Sequence, residues 1–343
     1  MSDFSPVGVL LVQLGTPRSP DTGDVRRYLR QFLSDPRVMD IPAPLRFLLL
    51  NAVILPFRPR RSAHAYRQIW TDRGSPLTLH TRALAREVES VLGEGYRVAV
   101  GMRYQEPSLR AALEELDAAG CRRLVILPLF PQYSSAATGS ALEAAVREAT
   151  SGWNVPDVTT VGEFYDDEAF LDALVDTTRP HLEEFRPDHV LFSYHGLPEK
   201  QIRRSDPSGE WCLQSSTCCE SISEVNRYCY RAQSYATTRL AAARLGLAAG
   251  SYSTAFQSRL AGQKWIEPYT DVVLADLHEA GVRRLAVLTP SFTADCLETL
   301  EEIGIRGRKQ WQDLGGEDFL LVPCLNAERS WVEAVAGMVR RAS

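Results

Sequence analysis

The sequence predicts an α/β protein built from two similar Rossmann-like (flavodoxin-like) halves, each with a parallel sheet flanked by helices. Apolar runs of strand length alternate along the chain with stretches of helical period. The chain also repeats itself: AAGCRRLVILPLF at 118–130 matches EAGVRRLAVLTPSF at 279–292, and VLLVQLGTP at 9–17 resembles VLFSYHGLP at 190–198. A length of 343 residues suits two domains. We therefore expect an N-terminal half at 1–157, a C-terminal half at 158–325 and a final helix within 326–343, with an active-site cleft between the halves.

Local patterns predict the individual elements. Apolar runs predict six strands, at 7–14, 97–101, 123–128, 189–194, 250–255 and 284–290. Helical periodicity predicts nine helices, at 24–34, 78–92, 108–119, 140–149, 167–184, 234–245, 271–280, 295–303 and 328–341. Doubly wound sheets bind ligands at the carboxyl ends of their strands, so we expect the loops after residues 14, 128, 194 and 290 to line the site.

Composition and charge exclude several classes of protein. The 38 Lys+Arg and 43 Asp+Glu give a net charge of −5, and the basic residues form no long tract, which argues against nucleic acid as a partner. The N-terminal segment runs from acidic residues into an apolar stretch without a basic region, so we expect a buried strand rather than a signal peptide. The longest other apolar stretch, 47–57, is about half the length of a membrane-spanning helix. These observations favour a cytoplasmic protein without a transmembrane helix.

Two motifs at predicted strand ends carry groups suited to catalysis. His195 follows a strand and precedes a glycine turn, and an imidazole there can bind a metal ion or move a proton near pH 7. Asp295, Glu298 and Glu302 follow the matching strand of the other repeat, and their spacing predicts three carboxylates along one helix face. Such a ridge can accept protons or guide a divalent cation. The alternatives are a histidine satisfied at an interface and acids that favour the first turn of a helix.

Three further segments have a functional and an ordinary interpretation. The small polar loop at 131–140, and Arg103 beside Tyr104, suit an anionic group, although loops and helix caps often have this composition. The segment 41–61 (IPAPLRFLLLNAVILPFRPRR) joins an apolar run to three arginines, which suits an anionic membrane surface or a buried helix with a basic end. The seven cysteines include four in the spacing C-x5-C-C-x9-C, which indicates a reduced compartment and a metal centre, either zinc or iron–sulfur; the ordinary interpretation is four unrelated free thiols. We expect the remaining three, Cys121, Cys296 and Cys324, to be small buried residues.

Together the motifs resemble ferrochelatase, in order and over nearly the whole chain. They are LGTP at 14–17, RY at 103–104, PQYS at 131–134, SYHGLP at 193–198, QSR at 257–259 with Trp265, and DCLETL at 295–300. Members of this family are lyases that insert Fe2+ into a porphyrin in haem synthesis. The resemblance implies that His195 is the catalytic imidazole and that Glu298 is its partner carboxylate, with Asp295 and Glu302 extending an acidic path. It also implies a porphyrin pocket lined by Tyr28, Tyr66, Arg103, Tyr133 and Trp265.

The resemblance also bears on cofactors and partners. The cysteine-rich insertion at 206–230 is similar to internal cysteines on which some bacterial members hold a [2Fe–2S] cluster, which implies Cys212, Cys218, Cys219 and Cys229 as ligands, with structural zinc as the alternative. The apolar lip (41–61) implies protoporphyrin IX as the substrate and peripheral contact with the inner face of the cell membrane. The expected partners are porphyrin and Fe2+, with a homodimer left open. Three functions stay as alternatives: a porphyrin or haem carrier without turnover, a coproporphyrin ferrochelatase, and a chelatase for another tetrapyrrole and metal, such as cobalt.

Overall fold

The computed structural model describes residues 5–260 and 262–343, which form two compact units. Within these residues, the first unit comprises positions up to 130, 135–163 and 326–343. The second comprises 131–134 and 164–325. The C-terminal helix therefore belongs to the first unit.

The first unit is a four-stranded parallel sheet in the order β2-β1-β3-β4. Its central strand is fully buried from Val9 to Val12, and Leu10 packs with Ile126 and Leu116 in one of its cores. The strands are β1 (Val7–Gln13), β2 (Tyr96–Met102), β3 (Arg123–Pro128) and β4 (Asp157–Thr160). The helices are α1 (Thr22–Ser34), α2 (Ala43–Leu48), the π-helix π1 (Leu49–Ile54), α3 (Leu55–Ile69), α4 (Pro76–Leu92), α5 (Leu109–Ala118), the π-helix π2 (Ser135–Gly139), α6 (Ser140–Ala149) and, at the C-terminus, α12 (Arg329–Ala342).

The second unit repeats this topology with the strand order β6-β5-β7-β8. Leu191 and Val287 of its central strands pack against Trp311, which has no exposed surface. The strands are β5 (His189–His195), β6 (Tyr252–Gln257), β7 (Arg284–Leu288) and β8 (Asp318–Leu321). The helices are α7 (Glu168–Phe185), α8 (Glu199–Arg204), α9 (Tyr230–Leu245), α10 (Thr270–Glu279), the π-helix π3 (Leu297–Gly307) and α11 (Arg308–Leu314).

The equivalent strand order confirms the predicted fold class of two similar parallel α/β halves. The repeated segments at 118–130 and 279–292 contain β3 and β7, which occupy the same place in their sheets. Two strands were not predicted, β4 and β8. Each has only four residues and lies at a sheet edge, where one covered face gives a weak apolar pattern.

The apolar lip (41–61) folds as α2, π1 and the start of α3. Leu50 and Leu55 are buried and anchor it, whereas five apolar side chains are more than half exposed: Leu45, Phe47, Leu48, Val53 and Phe57. The segment is therefore a surface element with an apolar face, next to the exposed Arg60 and Arg61. Across the residues that the structure describes, no helix combines the length and apolarity needed to span a membrane.

Candidate active site

His195 ends β5 with its imidazole held in one orientation. Its Nδ1 lies 2.7 Å from the carbonyl oxygen of Gly196. Because a carbonyl oxygen only accepts, Nδ1 carries the proton of the neutral ring and Nε2 keeps its lone pair. Only glycine suits position 196, since a Cβ there would come within 2.8 Å of the Gln257 carbonyl oxygen. The ring is thus prepared to bind a metal ion or to accept a proton at Nε2.

Two aromatic rings flank the imidazole of His195. The ring centroids of Trp265 and Phe292 lie 6.4 and 6.3 Å from its centroid. Trp265 is buried, and its indole Nε1 has no hydrogen-bond partner among the described residues. These rings give the site flat apolar surfaces of the kind that pack against other ring systems.

The carboxylates come from π3, which follows β7. The side-chain Nε2 of Gln257 donates to the backbone oxygen of Glu298 at 2.8 Å, and the Ser258 hydroxyl donates to Glu302 Oε2 at 2.6 Å. A π-helix closes i→i+5 hydrogen bonds, and its wide turn brings residues four apart to nearly the same face. Glu298 and Glu302 are therefore presented together, both held by residues at the end of β6.

Burial and the neighbouring charged groups shift the pKa of Glu302. Burial raises the pKa of Glu302 above its usual range, and the negative charge of Glu298 adds to this shift. The Ser258 hydroxyl, the positive charge of Arg306 and, when its ring is protonated, the charge of His195 oppose it without cancelling it. Glu302 therefore binds a proton at a higher pH than an exposed glutamate does, which suits a group that relays protons.

Asp295 lies before π3, so the prediction of three carboxylates on one face of a helix over 295–303 is wrong for this residue. It is buried, and its Oδ1 accepts from the Thr299 hydroxyl at 3.2 Å and from the Cys324 backbone N–H at 3.4 Å. Cys296 caps the helix, and its N–H donates to the Thr299 hydroxyl at 3.0 Å. Burial, together with the charge of Glu298, raises the pKa of the Cys296 thiol far above its usual range. The thiol is therefore protonated at neutral pH. Asp295 and Cys296 both contact the Thr299 hydroxyl and so hold the first turn of π3.

Gln257 was not predicted as a site residue, although its motif was noted. It is 3% exposed, pairs with His195 in the β5–β6 ladder, and accepts from the Ser193 hydroxyl at 2.9 Å. Its amide thus connects the strand that carries His195 to the backbone of Glu298. This contact spans 41 positions, so no local pattern could reveal it.

Three of the residues expected to line a porphyrin pocket lie in the first unit. Tyr28 and Tyr66, from α1 and α3, are buried and stack edge to face with ring centroids 6.4 Å apart. Arg103 follows β2, where its Nη2 contacts Asp35 at 2.6 Å and its Nε donates to the Ser140 hydroxyl at 2.7 Å. Burial alone would raise the pKa of Asp35, but its hydrogen bonds and the charge of Arg103 hold that pKa below its usual range. Arg103 is therefore a charged group held in a fixed position.

Tyr133 lies in the second unit with His195 and Trp265. Its ring centroid is 5.0 Å from that of Tyr228, and its backbone N–H donates to Gln233 Oε1 at 2.6 Å. Gln233 is fully buried in α9 and so fixes the backbone of Tyr133.

The four clustered cysteines are all buried and lie next to one another in pairs. The sulfur atoms of Cys218 and Cys219 are 3.7 Å apart, and Cys229 hydrogen-bonds to both Cys219 and Cys212. The contact with Cys212 and burial raise the pKa of Cys229 to about 12. Arg231 Nη1 donates to Cys219 Sγ at 3.1 Å, which places a positive charge beside the thiols. Among the residues described, no three His, Cys, Asp or Glu side chains are arranged so that they could hold a metal ion.

Asp206 organises the start of this cysteine-rich segment (206–230) and was not predicted. Its Oδ2 accepts from the backbone N–H groups of Trp211 and Cys212, each at 2.8 Å, and its Oδ1 accepts from Ser208. Burial alone would raise the pKa of Asp206, but these hydrogen bonds hold it far below its usual range. The carboxylate is therefore charged and fixes the loop that leads into Cys212.

Comparison with known proteins shows similarity along the whole chain. A family model described as Ferrochelatase matches residues 6–343. The ferrochelatase of Coxiella burnetii (strain Dugway 5J108-111) is 48% identical over 335 residues, which are 98% of this chain and 93% of that protein. The ferrochelatase of Legionella pneumophila subsp. pneumophila (strain Philadelphia 1) is 46% identical over 332 residues, which are 97% of this chain and 98% of that protein.

Solved structures show similarity in fold. The sirohydrochlorin chelatase SirB from Bacillus subtilis subspecies spizizenii, in complex with cobalt, aligns with a TM-score of 0.54 at 10% identity and covers 98% of this chain and 95% of that chain. SirB from Bacillus subtilis with Fe3+ aligns with a TM-score of 0.52 at 12% identity and the same coverage. At such low identity the likeness supports the two-sheet α/β fold alone.

Proposed function

The chain belongs to the ferrochelatase family, and we propose that it inserts Fe2+ into protoporphyrin IX, with His195 as the imidazole that binds the metal or takes a pyrrole proton. This makes it a porphyrin metal chelatase, a lyase of haem biosynthesis. The observation that supports this role most strongly is the bond from Nδ1 to Gly196, which leaves the Nε2 lone pair free on a ring that interacts electrostatically with Glu302.

The reaction exchanges two pyrrole N–H protons for one Fe2+, so the site has to take up two protons for each metal it delivers. His195 accepts one at Nε2 or holds the iron there, and Glu298 is its partner carboxylate. Glu302, whose pKa is raised by burial, takes protons from these groups and passes them to solvent. Asp295 is buried at the start of the acidic path. It holds the first turn of π3 by accepting a hydrogen bond from Thr299.

The macrocycle is bound by aromatic faces and one guanidinium. Tyr28, Tyr66, Tyr133 and Trp265 offer rings, and Arg103 offers a fixed charge that suits a propionate. Support comes from the environment of each group: the rings lie in packed pairs, and Arg103 is held in place by an acidic partner. Rings and a charge that are each held in place in this way can bend a planar ring toward the geometry that admits a metal ion.

Turnover distinguishes an enzyme from a carrier. Anaerobic incubation with excess Fe2+ and protoporphyrin should give many equivalents of haem per protein. Glu298→Gln should lower kcat by about 100-fold or more, because it removes a charged proton acceptor, while porphyrin affinity, read by fluorescence, stays unchanged. The control is Glu301→Gln on the same helix, whose carboxylate pairs with Arg306. Stoichiometric binding without turnover would show a carrier, and faster reaction of coproporphyrin or Co2+ would show a different substrate.

We propose that the apolar lip (41–61) makes peripheral contact with the inner face of the cell membrane, from which an apolar porphyrin is drawn. Five exposed apolar side chains beside Arg60 and Arg61 suit an anionic lipid surface. Phe57→Asp should reduce sedimentation with anionic vesicles. Trp153→Asp, at a fully exposed residue outside the lip, is the matched control. Equal vesicle binding by both variants would contradict the proposal.

We also propose that Cys212, Cys218, Cys219 and Cys229 hold a [2Fe–2S] cluster. Four neighbouring thiols are the donor set that such clusters use, and Arg231 offsets their charge once the metal has displaced their protons. When bound, the cluster supplies a one-electron redox centre, whereas zinc, the alternative, supplies none. Cys218→Ser should abolish visible absorption and bound iron. Cys121→Ser, a buried thiol of the first unit, should leave both unchanged. A colourless wild-type protein that contains zinc would show that these cysteines hold zinc and not a cluster.

A further inference from the structure

Helix α9 begins next to Cys229 and contacts β5, the strand that ends at His195. Its first residue, Tyr230, follows Cys229 in sequence and is buried. The Tyr230 hydroxyl hydrogen-bonds to the side chain of Ser291, just after β7. The same Ser291 Oγ accepts the backbone N–H of His195 at 3.2 Å. One serine hydroxyl therefore connects the first residue of α9 to the backbone of the imidazole.

A second contact fixes the same helix against β5. The hydroxyl of Thr238, two turns along α9, lies 2.9 Å from that of Tyr194, the residue before His195. The helix also holds its own start, since the Gln233 N–H donates to the Cys229 carbonyl at 3.0 Å. Buried hydroxyls that bond to one another transmit a displacement more faithfully than an apolar contact does, because their geometry is directional. These contacts form a continuous route from Cys229 through Tyr230 to Ser291.

We infer that Tyr230 is a positioning residue that couples the state of the cysteine-rich segment (206–230) to the placement of His195. The inference rests on the proposed function, since it takes His195 as the catalytic imidazole and Cys229 as a metal ligand. No electron or proton passes along this route. Binding or loss of metal at Cys229 shifts the first turn of α9, and the Tyr230–Ser291 contact passes that shift to the backbone N–H of His195. This gives the cysteine site an effect on catalysis that acts through the backbone of His195.

The direct readout is the backbone amide signal of His195. Selective ¹⁵N labelling of the six histidines gives six amide signals, and His195→Ala identifies the one of interest. His189, at the other end of β5, is an internal control. Tyr230→Phe removes only the hydroxyl and should shift the His195 signal but not that of His189. Tyr252→Phe, at the far end of β6 from Gln257, should shift neither.

Kinetics supply the second readout. Tyr230→Phe should lower kcat for metal insertion by about fivefold, the effect of one lost hydrogen bond, with an unchanged KM for porphyrin. Ser291→Ala removes this contact together with the bond that Ser291 accepts from the His195 N–H, so it should give at least as large a shift of the His195 signal and at least as low a kcat. An unmoved His195 signal, or a wild-type kcat, in both variants would overturn the inference.

The coupling itself is tested by combining variants. Cys218→Ser, which removes a proposed metal ligand that lies outside α9, should shift the His195 signal in wild type and leave it unchanged in Tyr230→Phe. Equal shifts in both backgrounds would show that the coupling bypasses Tyr230. If the wild-type protein carries no metal at all, the cluster proposal fails. The Tyr230→Phe and Ser291→Ala results still decide the positioning role.

Discussion

Replacing Gln257 with leucine tests how far the proposed catalytic carboxylates, Glu298 and Glu302, depend on the end of β6. The change removes two buried hydrogen bonds, from Ser193 at 2.9 Å and to the Glu298 carbonyl at 2.8 Å. At about 1 kcal/mol for each neutral bond, the free energy of unfolding should fall by about 2 kcal/mol. The freed Glu298 backbone lets the first turn of π3 move, and a displacement of about 1 Å costs up to about 100-fold in rate. We therefore expect kcat to fall by about 10- to 100-fold.

Gln233→Leu is the matched control for Gln257→Leu. Gln233 is equally buried and also makes two hydrogen bonds, but its partners are the backbones of Tyr133 and Arg227. Urea unfolding should show a similar loss of stability in both variants, whereas anaerobic metallation should show a loss of kcat only in Gln257→Leu. Gln233→Leu should instead raise the KM for porphyrin, because Tyr133 loses its anchor. A normal kcat in Gln257→Leu, or an equal loss in both variants, would refute the positioning role of Gln257.

Three further changes have defined outcomes. Asp35→Asn leaves Arg103 without its buried partner and should cost about 3–5 kcal/mol at pH 7. The contribution of Asp35 is present above its ordinary pKa of 3.8 and is lost as pH falls through its lower folded pKa, so the difference from wild type in urea unfolding should be smaller at pH 3 than at pH 7. Asp206→Asn removes the charge that orders the backbone before Cys212 and should lower the metal content of the purified protein; unchanged content would contradict this. Cys296→Ala should keep kcat within about twofold, since Cys296 caps π3 and its backbone N–H contact with Thr299 survives the change. A larger loss would give Cys296 a direct role.

The central strands and the place of His195 could be predicted because each depends on local sequence. β5 and β7 are nearly continuous apolar runs, as expected for strands covered on both faces, and the polar residue that ends such a strand lies at the ligand edge of the sheet. The edge strands β4 and β8 were missed because four half-covered residues carry too little pattern.

The geometry around His195 could not be predicted because it depends on contacts between distant segments. Helical periodicity does not distinguish a π-helix from an α-helix, so Asp295 was placed within a helix that begins two residues later. The partner of Arg103, Asp35, directly follows α1 and lies 68 positions away, so no local pattern indicates it. The Tyr230–Ser291 contact joins a cysteine-rich segment to a loop after β7, and neither sequence carries a motif for it.

The central claim is that His195 carries out iron insertion. The most direct test compares wild type with His195→Ala under the same anaerobic conditions, with porphyrin binding recorded by fluorescence and Fe2+ insertion by haem absorbance. We predict that His195→Ala binds porphyrin as tightly as wild type and inserts iron about 100- to 10,000-fold more slowly, the range lost with a general acid–base group. Wild-type rates of iron insertion in His195→Ala would contradict the account.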